Sequence, residues 1–218
     1  YTNIDSIVAE KKFWPVQGIL FDLGLSSIQL ESSGRGFSFQ RDEPLDMRFD
    51  PEKNNLKASD IINHGTFQEL QTIFSEYGEE RFSKRITDYI IHERKRRPIL
   101  RTSDLVEAIR KAIPYPAQKQ KIHFATRVFQ ALRMAVNHES ENIHEGIKKG
   151  LAILHSGGRI IIITFHSIED RIVKNIFRNS VKEGIIKLIV KKPLTPTREE
   201  ITKNPRARSA KLRIAEKI

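Results

Sequence analysis

Two strand-sized apolar runs constrain this chain more than any other feature of its 218 residues. Val16-Gln-Gly-Ile-Leu-Phe-Asp-Leu-Gly24 and Arg159-Ile-Ile-Ile-Ile-Thr164 stand far apart in the sequence, and polar residues close or follow each of them. Short continuous apolar runs read as strands covered on both faces, the pattern of a parallel sheet. Ligands of open α/β sheets bind beyond the carboxyl ends of such strands. Asp22 and the segment Phe165-His-Ser-Ile-Glu-Asp-Arg171 therefore fall where chemistry is expected.

Helical signals fill the sequence between the two runs. Thr66 with Glu69 forms a capping box ahead of Leu70, Phe74 and Tyr77. Apolar stripes follow at Phe82, Ile86 and Ile90, and at Leu105, Ile109 and Ile113, with Pro98, Pro114 and Pro116 as punctuation. From about residue 125 a long helix is expected, with Val128, Phe129, Leu132, Val136 and Ile143 on one face, either continuing or running into a second segment through Ile147 and Leu151, and ended by His155-Ser-Gly-Gly158. Ser167 reads as a helix start with Asp170 in the capping-box position, and Thr197 with Glu200 caps a short helix. Ile185 to Val190 and the alternating Lys211 to Glu216 read as two more strands, the latter an edge strand or one of an antiparallel pair.

The fold class is thus α/β, with an all-helical domain at 52–124 inserted between sheet-forming segments at 1–51 and 125–218. One strand before the insertion and three after it are few for a doubly wound sheet. N-terminal strands are accordingly expected to be missing from this sequence, which opens at Tyr1 without an initiator Met.

Composition narrows the function classes. The absence of Cys removes disulfides, thiol nucleophiles, Cys-ligated zinc and iron–sulfur clusters. No apolar run approaches the 18 residues of a spanning helix. The net charge of +11 is unevenly placed: residues 1–80 hold 7 Lys and Arg against 14 Asp and Glu, whereas residues 81–133 hold 14 against 4 and residues 187–218 hold 10 against 3. An acidic third beside two basic segments suits a protein that steers a polyanion toward a pocket needing carboxylates.

Individual residues sharpen this reading. Asp22, at a strand's carboxyl end, is placed to accept a hydrogen bond from a cofactor or substrate amine, or to cap the adjacent turn. Asp46 and Arg48 offer an acceptor and a fork donor near one pocket, or a local salt bridge with each other. His166 is a candidate base, and Arg171 suits a phosphate or an acidic partner. A Ser–His hydrolase is disfavoured, because Ser167 adjoins His166 and lacks a nucleophile elbow. His123 and Arg127 share a helix face, with Arg133 on a partly turned one and Gln130 and Asn137 nearby. The tail Asn204-Pro-Arg-Ala-Arg-Ser-Ala-Lys-Leu-Arg213 offers Arg206, Arg208 and Lys211 as phosphate contacts. Phe37, Phe39 and Phe49 either stack on a base or pack locally. Neither a glycine-rich nucleotide loop nor close metal-ligand spacing is present, since His138 and His144 lie six apart.

Taken together, seven ordered blocks resemble the small-subunit ribosomal RNA cytosine-N4 methyltransferase family, known as MraW or RsmH. They are Gly18-Ile-Leu-Phe-Asp-Leu-Gly-Leu-Ser-Ser-Ile-Gln-Leu30, Arg35-Gly-Phe-Ser-Phe39, Pro44-Leu-Asp-Met-Arg48, Tyr77-Gly-Glu-Glu-Arg81, Phe124-Ala-Thr-Arg-Val-Phe-Gln-Ala-Leu-Arg133 with Val136-Asn137, Thr164-Phe-His-Ser-Ile-Glu-Asp-Arg-Ile-Val-Lys174, and the 204–213 tail. The resemblance implies a class I, Rossmann-like methyltransferase with an inserted helical domain. It also implies S-adenosyl-L-methionine as cofactor and transfer of methyl to N4 of a cytidine in the decoding region of small-subunit ribosomal RNA.

Asp22 and Gln29 match family contacts to the methyl donor. Asp22 or Asp46 would accept a hydrogen from the cytosine amine, His166 would organise the pocket or relay a proton, and Arg48, Arg127 and Arg208 would place the substrate. The implied partner is ribosomal RNA in an assembled or nearly assembled subunit, in the cytoplasm or an organelle matrix. A homodimer or a complementing N-terminal fragment is a further expectation, because the family's glycine-rich donor-binding turn is not in this sequence. The alternative is an RNA-binding or ribosome-assembly fragment without catalysis.

Overall fold

The computed structural model describes residues 1–26, 29–30 and 33–218; Ser27 and Ile28 of the first block, and Glu31 and Ser32 of the loop after it, lie outside the described residues. In chain order the elements are α1 (Ile4–Lys11), β1 (Val16–Asp22), α2 (Ala58–His64), α3 (Phe67–Thr72) continuing as a π turn (Ile73–Tyr77), α4 (Ser83–Arg94), α5 (Thr102–Ala112), α6 (Tyr115–Gln118), α7 (Thr126–Val136), α8 (Glu139–Ile153), β2 (Leu154–Thr164), α9 (Ser167–Lys182), β3 (Ile186–Leu188), α10 (Arg198–Lys203), a 3-10 turn (Pro205–Ser209) and β4 (Lys211–Lys217). They form two compact units, one of Tyr1–Gly24 with Ser140–Ile218 and one of Leu25–Glu139.

The first unit holds a mixed sheet of order β1-β2-β4-β3 among the described residues. β1 and β2 are parallel, and β4 is antiparallel to both β2 and β3. Of the two readings open for the alternating 211–216 segment, the antiparallel one is formed, and the strand is an inner one, not an edge. Ile19, Phe21, Ile160, Ile162 and Ala215 are buried with Val8 of α1, Ile147 of α8 and Val173 and Phe177 of α9.

β1 corrects the expectation of a strand covered on both faces. Leu20 is 62% exposed between buried Ile19 and Phe21, and it stands in register with Ile161, which is in register with Ile214. Side chains alternate across a strand, so these three share the face opposite the helices. Among the described strands β1 pairs with β2 alone.

Capping explains where several helices begin and where sequence placed them wrongly. Thr66 Oγ1 accepts from Glu69 N at 3.2 Å while Glu69 Oε2 accepts from Thr66 N at 2.7 Å, as its spacing predicts. At α9 the cap is one residue earlier than expected. His166 Nδ1 accepts from Glu169 N, and Glu169, not Asp170, completes the box. The helix expected from residue 125 does run into a second segment, but the break comes before Ile143, because Asn137 ends α7 and His138 takes a left-handed φ of 49°.

The second unit is helical and wider than the 52–124 segment expected to be inserted. Phe37, Leu45 and Met47 at one end, and Val128, Phe129, Leu132 and Val136 at the other, share its core. The cause is a clamp at the end of α7. Asn137 Nδ2 donates to Met47 O at 2.7 Å and Arg133 O at 2.9 Å, and its Oδ1 accepts from Phe49 N at 2.7 Å. Asn54 Nδ2 donates to Val136 O at 2.7 Å. Loop 44–54 is thereby tied to α7, with Met47 in the left-handed region at φ 61° and fully buried.

Asn137 is 8% exposed, so its removal leaves backbone groups unpaired where water cannot readily replace it. Asn137→Ala should destabilise the helical unit by about 3 kcal/mol, read by urea denaturation at neutral pH. A loss below about 1 kcal/mol would mean that the loop is held by its apolar contacts instead.

Candidate active site

In the sheet unit the parallel pairing sets the ends of β1 and β2 side by side. Asp22 is in register with Ile163, and Leu23 N donates to Ile163 O at 3.1 Å. Gly24 follows at φ 93°, where a Cβ would come within 3.3 Å of the Phe165 ring and 3.7 Å of Glu169 Oε1. Glycine thus permits both the left-handed turn and the close approach. The Asp22 side chain is exposed and has no hydrogen bond or ion pair among the described residues.

His166 and Glu169 build the facing turn. Glu169 is fully buried, and its Oε2 accepts from Phe165 N at 2.8 Å. His166 Nδ1 accepts from Glu169 N, and Nε2 lies 3.1 Å from Glu169 Oε1. Both ring nitrogens are turned toward Glu169, which orders the turn beside Asp22. The neighbouring Asp170 is claimed by the last strand: Arg213 Nε lies 2.7 Å and Lys211 Nζ 3.0 Å from its oxygens. Burial alone would raise the Asp170 pKa, but the hydrogen bonds and charges of Arg213 and Lys211 outweigh it and hold the carboxyl below its usual value. Lys211 thus ties the tail to α9, while Arg171, Arg206 and Arg208 are exposed.

The helical unit holds the other candidates. Gln29 Oε1 accepts from Ser26 N at 3.1 Å, and Ser26 Oγ accepts from Gln29 N at 3.2 Å. Asp46 and Arg48 form a two-pronged pair, with Nε–Oδ1 2.8 Å and Nη2–Oδ2 2.7 Å, and Arg48 Nη1 donates to Asn54 O at 2.8 Å. Burial would raise the Asp46 pKa, yet the Arg48 side chain and backbone hydrogen bonds bring it below its usual value. Of the two readings open for this pair, the local salt bridge is the one formed. Arg133 is likewise paired with Glu139 at 2.6 Å, both nearly buried. Arg127 stays exposed while its Nη1 donates to Glu79 O at 2.9 Å.

Phe37 stacks on Phe49 at 5.7 Å and Arg35 lies 5.5 Å over the Phe37 ring, so these two phenylalanines pack locally. Phe39 instead stacks on His123 at 4.4 Å. Sequence reasoning missed the His166–Glu169 cap, since histidine is a rare N-cap and the spacing of Ser167 and Asp170 looked equally suitable. It also passed over Arg81, whose guanidinium lies 4.6 Å over the Phe82 ring.

With these two sets of residues described, comparison with known proteins decides the family. The family model described as the MraW methylase family matches residues 1–218. The chain belongs to the MraW methylase family. It is similar to proteins named "Ribosomal RNA small subunit methyltransferase H" from three bacteria. The Persephonella marina protein is 47% identical over 218 residues, with all of this chain aligned to 74% of that protein. The Carboxydothermus hydrogenoformans protein is 46% identical over 233 residues, again with all of this chain and 74% of that protein covered. The Thermosipho africanus protein is 48% identical over 219 residues, with 72% of it covered. Membership makes the chain a methyltransferase by class.

The Asp170 ion pairs give an acid-side signature. A carboxyl held below its usual 3.8 contributes stability above that pH, and the contribution is lost as pH falls through the depressed value. Thermal melts of the unchanged protein should therefore fall on acidification below about pH 4. Asp170→Asn should be less stable at pH 7 and show a shallower acid-side decline. Parallel curves for the two proteins would show that the pairs add no net stability.

Proposed function

We propose that the chain uses S-adenosyl-L-methionine to methylate N4 of a cytidine in the decoding region of small-subunit ribosomal RNA, as a Rossmann-like class I enzyme. The observation that carries this reading is the unengaged carboxylate of Asp22 at the adjoining ends of two parallel strands, in a chain of this family. The relatives' shared printed name supports the RNA as substrate.

The residues present fit a donor that carries amino and ammonium groups. Asp22 is an exposed acceptor with lone pairs to spare, whereas Asp46 and Asp170 are already committed to cations. When bound, S-adenosylmethionine supplies an electrophilic methyl group on a sulfonium. Asp22 accepts a hydrogen bond from a donor amine or from the cytosine amino group, which orients the weakly nucleophilic N4 and drains its developing positive charge. No strongly basic residue is required, because the amine loses its proton only after attack. His166 serves by holding the turn next to Asp22, and the Asp46–Arg48 pair serves by fixing its loop.

Arg127, Arg171, Arg206 and Arg208 remain as exposed phosphate contacts in this reading. The assembled or nearly assembled small subunit, in the cytoplasm, is the proposed substrate. The edge of β1, paired on one side among the described strands, favours a second reading. In it the chain binds RNA, and donor binding is completed by a complementing segment or a second copy that adds to this edge.

Calorimetric titration with S-adenosylmethionine tests the first reading directly. The unchanged chain should bind the donor, and Asp22→Ala should weaken binding about 10- to 100-fold, the worth of a hydrogen bond to a charged group. Retained RNA binding without donor binding would support the second reading, and equal donor affinity in the two proteins would remove Asp22 from the donor site.

A further inference from the structure

Residues 81–133 carry 14 Lys and Arg against 4 Asp and Glu, and three of these cations gather in one place. Arg81, Lys121 and Arg127 line a cavity of about 180 Å³ in the helical unit, together with His123 and Phe124. All three cations are exposed, and none has a carboxylate partner among the described residues. Glu80, also on the cavity wall, is 8% exposed and its Oε1 accepts from Phe82 N at 2.9 Å. The cavity is therefore cationic.

The cations are placed by backbone packing. Gly78 sits where a Cβ would meet Phe74 O at 2.7 Å and Arg127 O at 2.8 Å. The segment Tyr77–Arg81 thereby lies tight against α7, and Arg127 Nη1 and Gln130 Nε2 donate to Glu79 O and Tyr77 O at 2.9 and 3.2 Å. Arg81 is steadied over the face of Phe82, a cation–π arrangement that leaves its guanidinium edge available.

Beside these cations stands a column of rings. Phe39 and His123 stack at 4.4 Å and 14°, and His123 and Phe124 at 4.3 Å and 27°. His123 Nδ1 accepts from Ala125 N at 3.2 Å. That bond assigns the neutral tautomer, with its proton on Nε2 as a donor. Partial burial lowers the His123 pKa, consistent with a neutral ring.

We infer that this cavity is a subsite for one unpaired nucleotide of single-stranded RNA, its base laid on Phe124 at the end of the Phe39–His123–Phe124 column and its phosphates held by Arg81, Lys121 and Arg127. The inference rests on the RNA-methyltransferase reading and adds to it a second RNA-binding region, on the helical unit. The chemistry matches the ligand. Stacking accepts any base face, three cations without a carboxylate partner suit two adjacent phosphates, and a volume below the roughly 300 Å³ of a small-molecule pocket suits a base edge better than a larger ligand. Duplex RNA lacks the splayed base that the stack needs.

The test uses the full chain and a single-stranded RNA hexamer carrying one 2-aminopurine, whose fluorescence is quenched on stacking. The unchanged protein should bind and quench it, and should bind a duplex of the same sequence more weakly. Arg81→Ala with Lys121→Ala should weaken hexamer binding about tenfold and lower the slope of log K against log salt by about 1.4, near 0.7 for each phosphate no longer neutralised. Phe124→Leu, which keeps an apolar side chain but removes the ring, should reduce quenching more than affinity. Lys95→Ala with Arg96→Ala, an equal loss of charge elsewhere on the unit, should change binding less than twofold. Far-UV circular dichroism and melting of each variant report whether the fold is kept.

Equal weakening by the two charge pairs, or full quenching by folded Phe124→Leu, overturns the subsite while leaving the methyltransferase reading intact. Failure of the unchanged protein to bind both the hexamer and S-adenosylmethionine overturns that reading and the subsite with it. Failure to bind the hexamer alone, with donor binding retained, overturns only the subsite.

Discussion

The parallel hydrogen bonding of β1 to β2 is the constraint on which the rest depends. A parallel pair cannot be closed by a tight hairpin, and here the connection is the whole sequence from Leu23 to Ile153, including every helix of the second unit. The pairing register, from Gly18 with Arg159 to Asp22 with Ile163, leaves both strands ending at one level. Two short turns follow at that level, one leading from Asp22 through Gly24 and the other through His166 into α9, where Glu169 caps it. Much of the chemistry proposed for this unit follows from that shared ending.

The site turns divide their labour between free and committed groups. Polar side chains near a site are expensive unless paired, and most here are paired: Glu169 with backbone N–H groups, Asp170 with Arg213 and Lys211, Asp46 with Arg48, Arg133 with Glu139. These pairs shape loops and helix starts. Asp22 is the exception among the carboxylates singled out from sequence, and the cations at the Arg81 cavity are another. Function is assigned to the groups left over, because a side chain already locked in a two-pronged ion pair must break it to reach a ligand.

The sequence displayed its strands and capping boxes clearly where one periodicity had no competitor. Thr66 with Glu69 and Thr197 with Glu200 fell where spacing placed them, and the apolar runs became β1 and β2. Three things were not legible. Burial of both faces of β1 was inferred from an unbroken apolar run, but that pattern records what a strand tolerates and not whether a covering layer is present, so Leu20 misled. The boundary of the helical unit was hidden because Asn137 and Asn54 act through backbone carbonyls far away in sequence, and such bonds leave no periodic trace. The start of α9 was displaced because a histidine cap competes with an adjacent serine that has higher cap preference. The position of Asp22 at the end of an apolar strand was legible, whereas the pairing of Asp46 with Arg48 was one of two arrangements that spacing left open.

The account joins a methyltransferase family to a specific acceptor atom, and that join is its central claim. It is tested by incubating the full chain with methyl-labelled S-adenosylmethionine and small ribosomal subunits lacking the modification, then digesting the RNA to nucleosides for mass spectrometry. The account predicts label in N4-methylcytidine from a single decoding-region position. Label appearing on another atom or another base would contradict it.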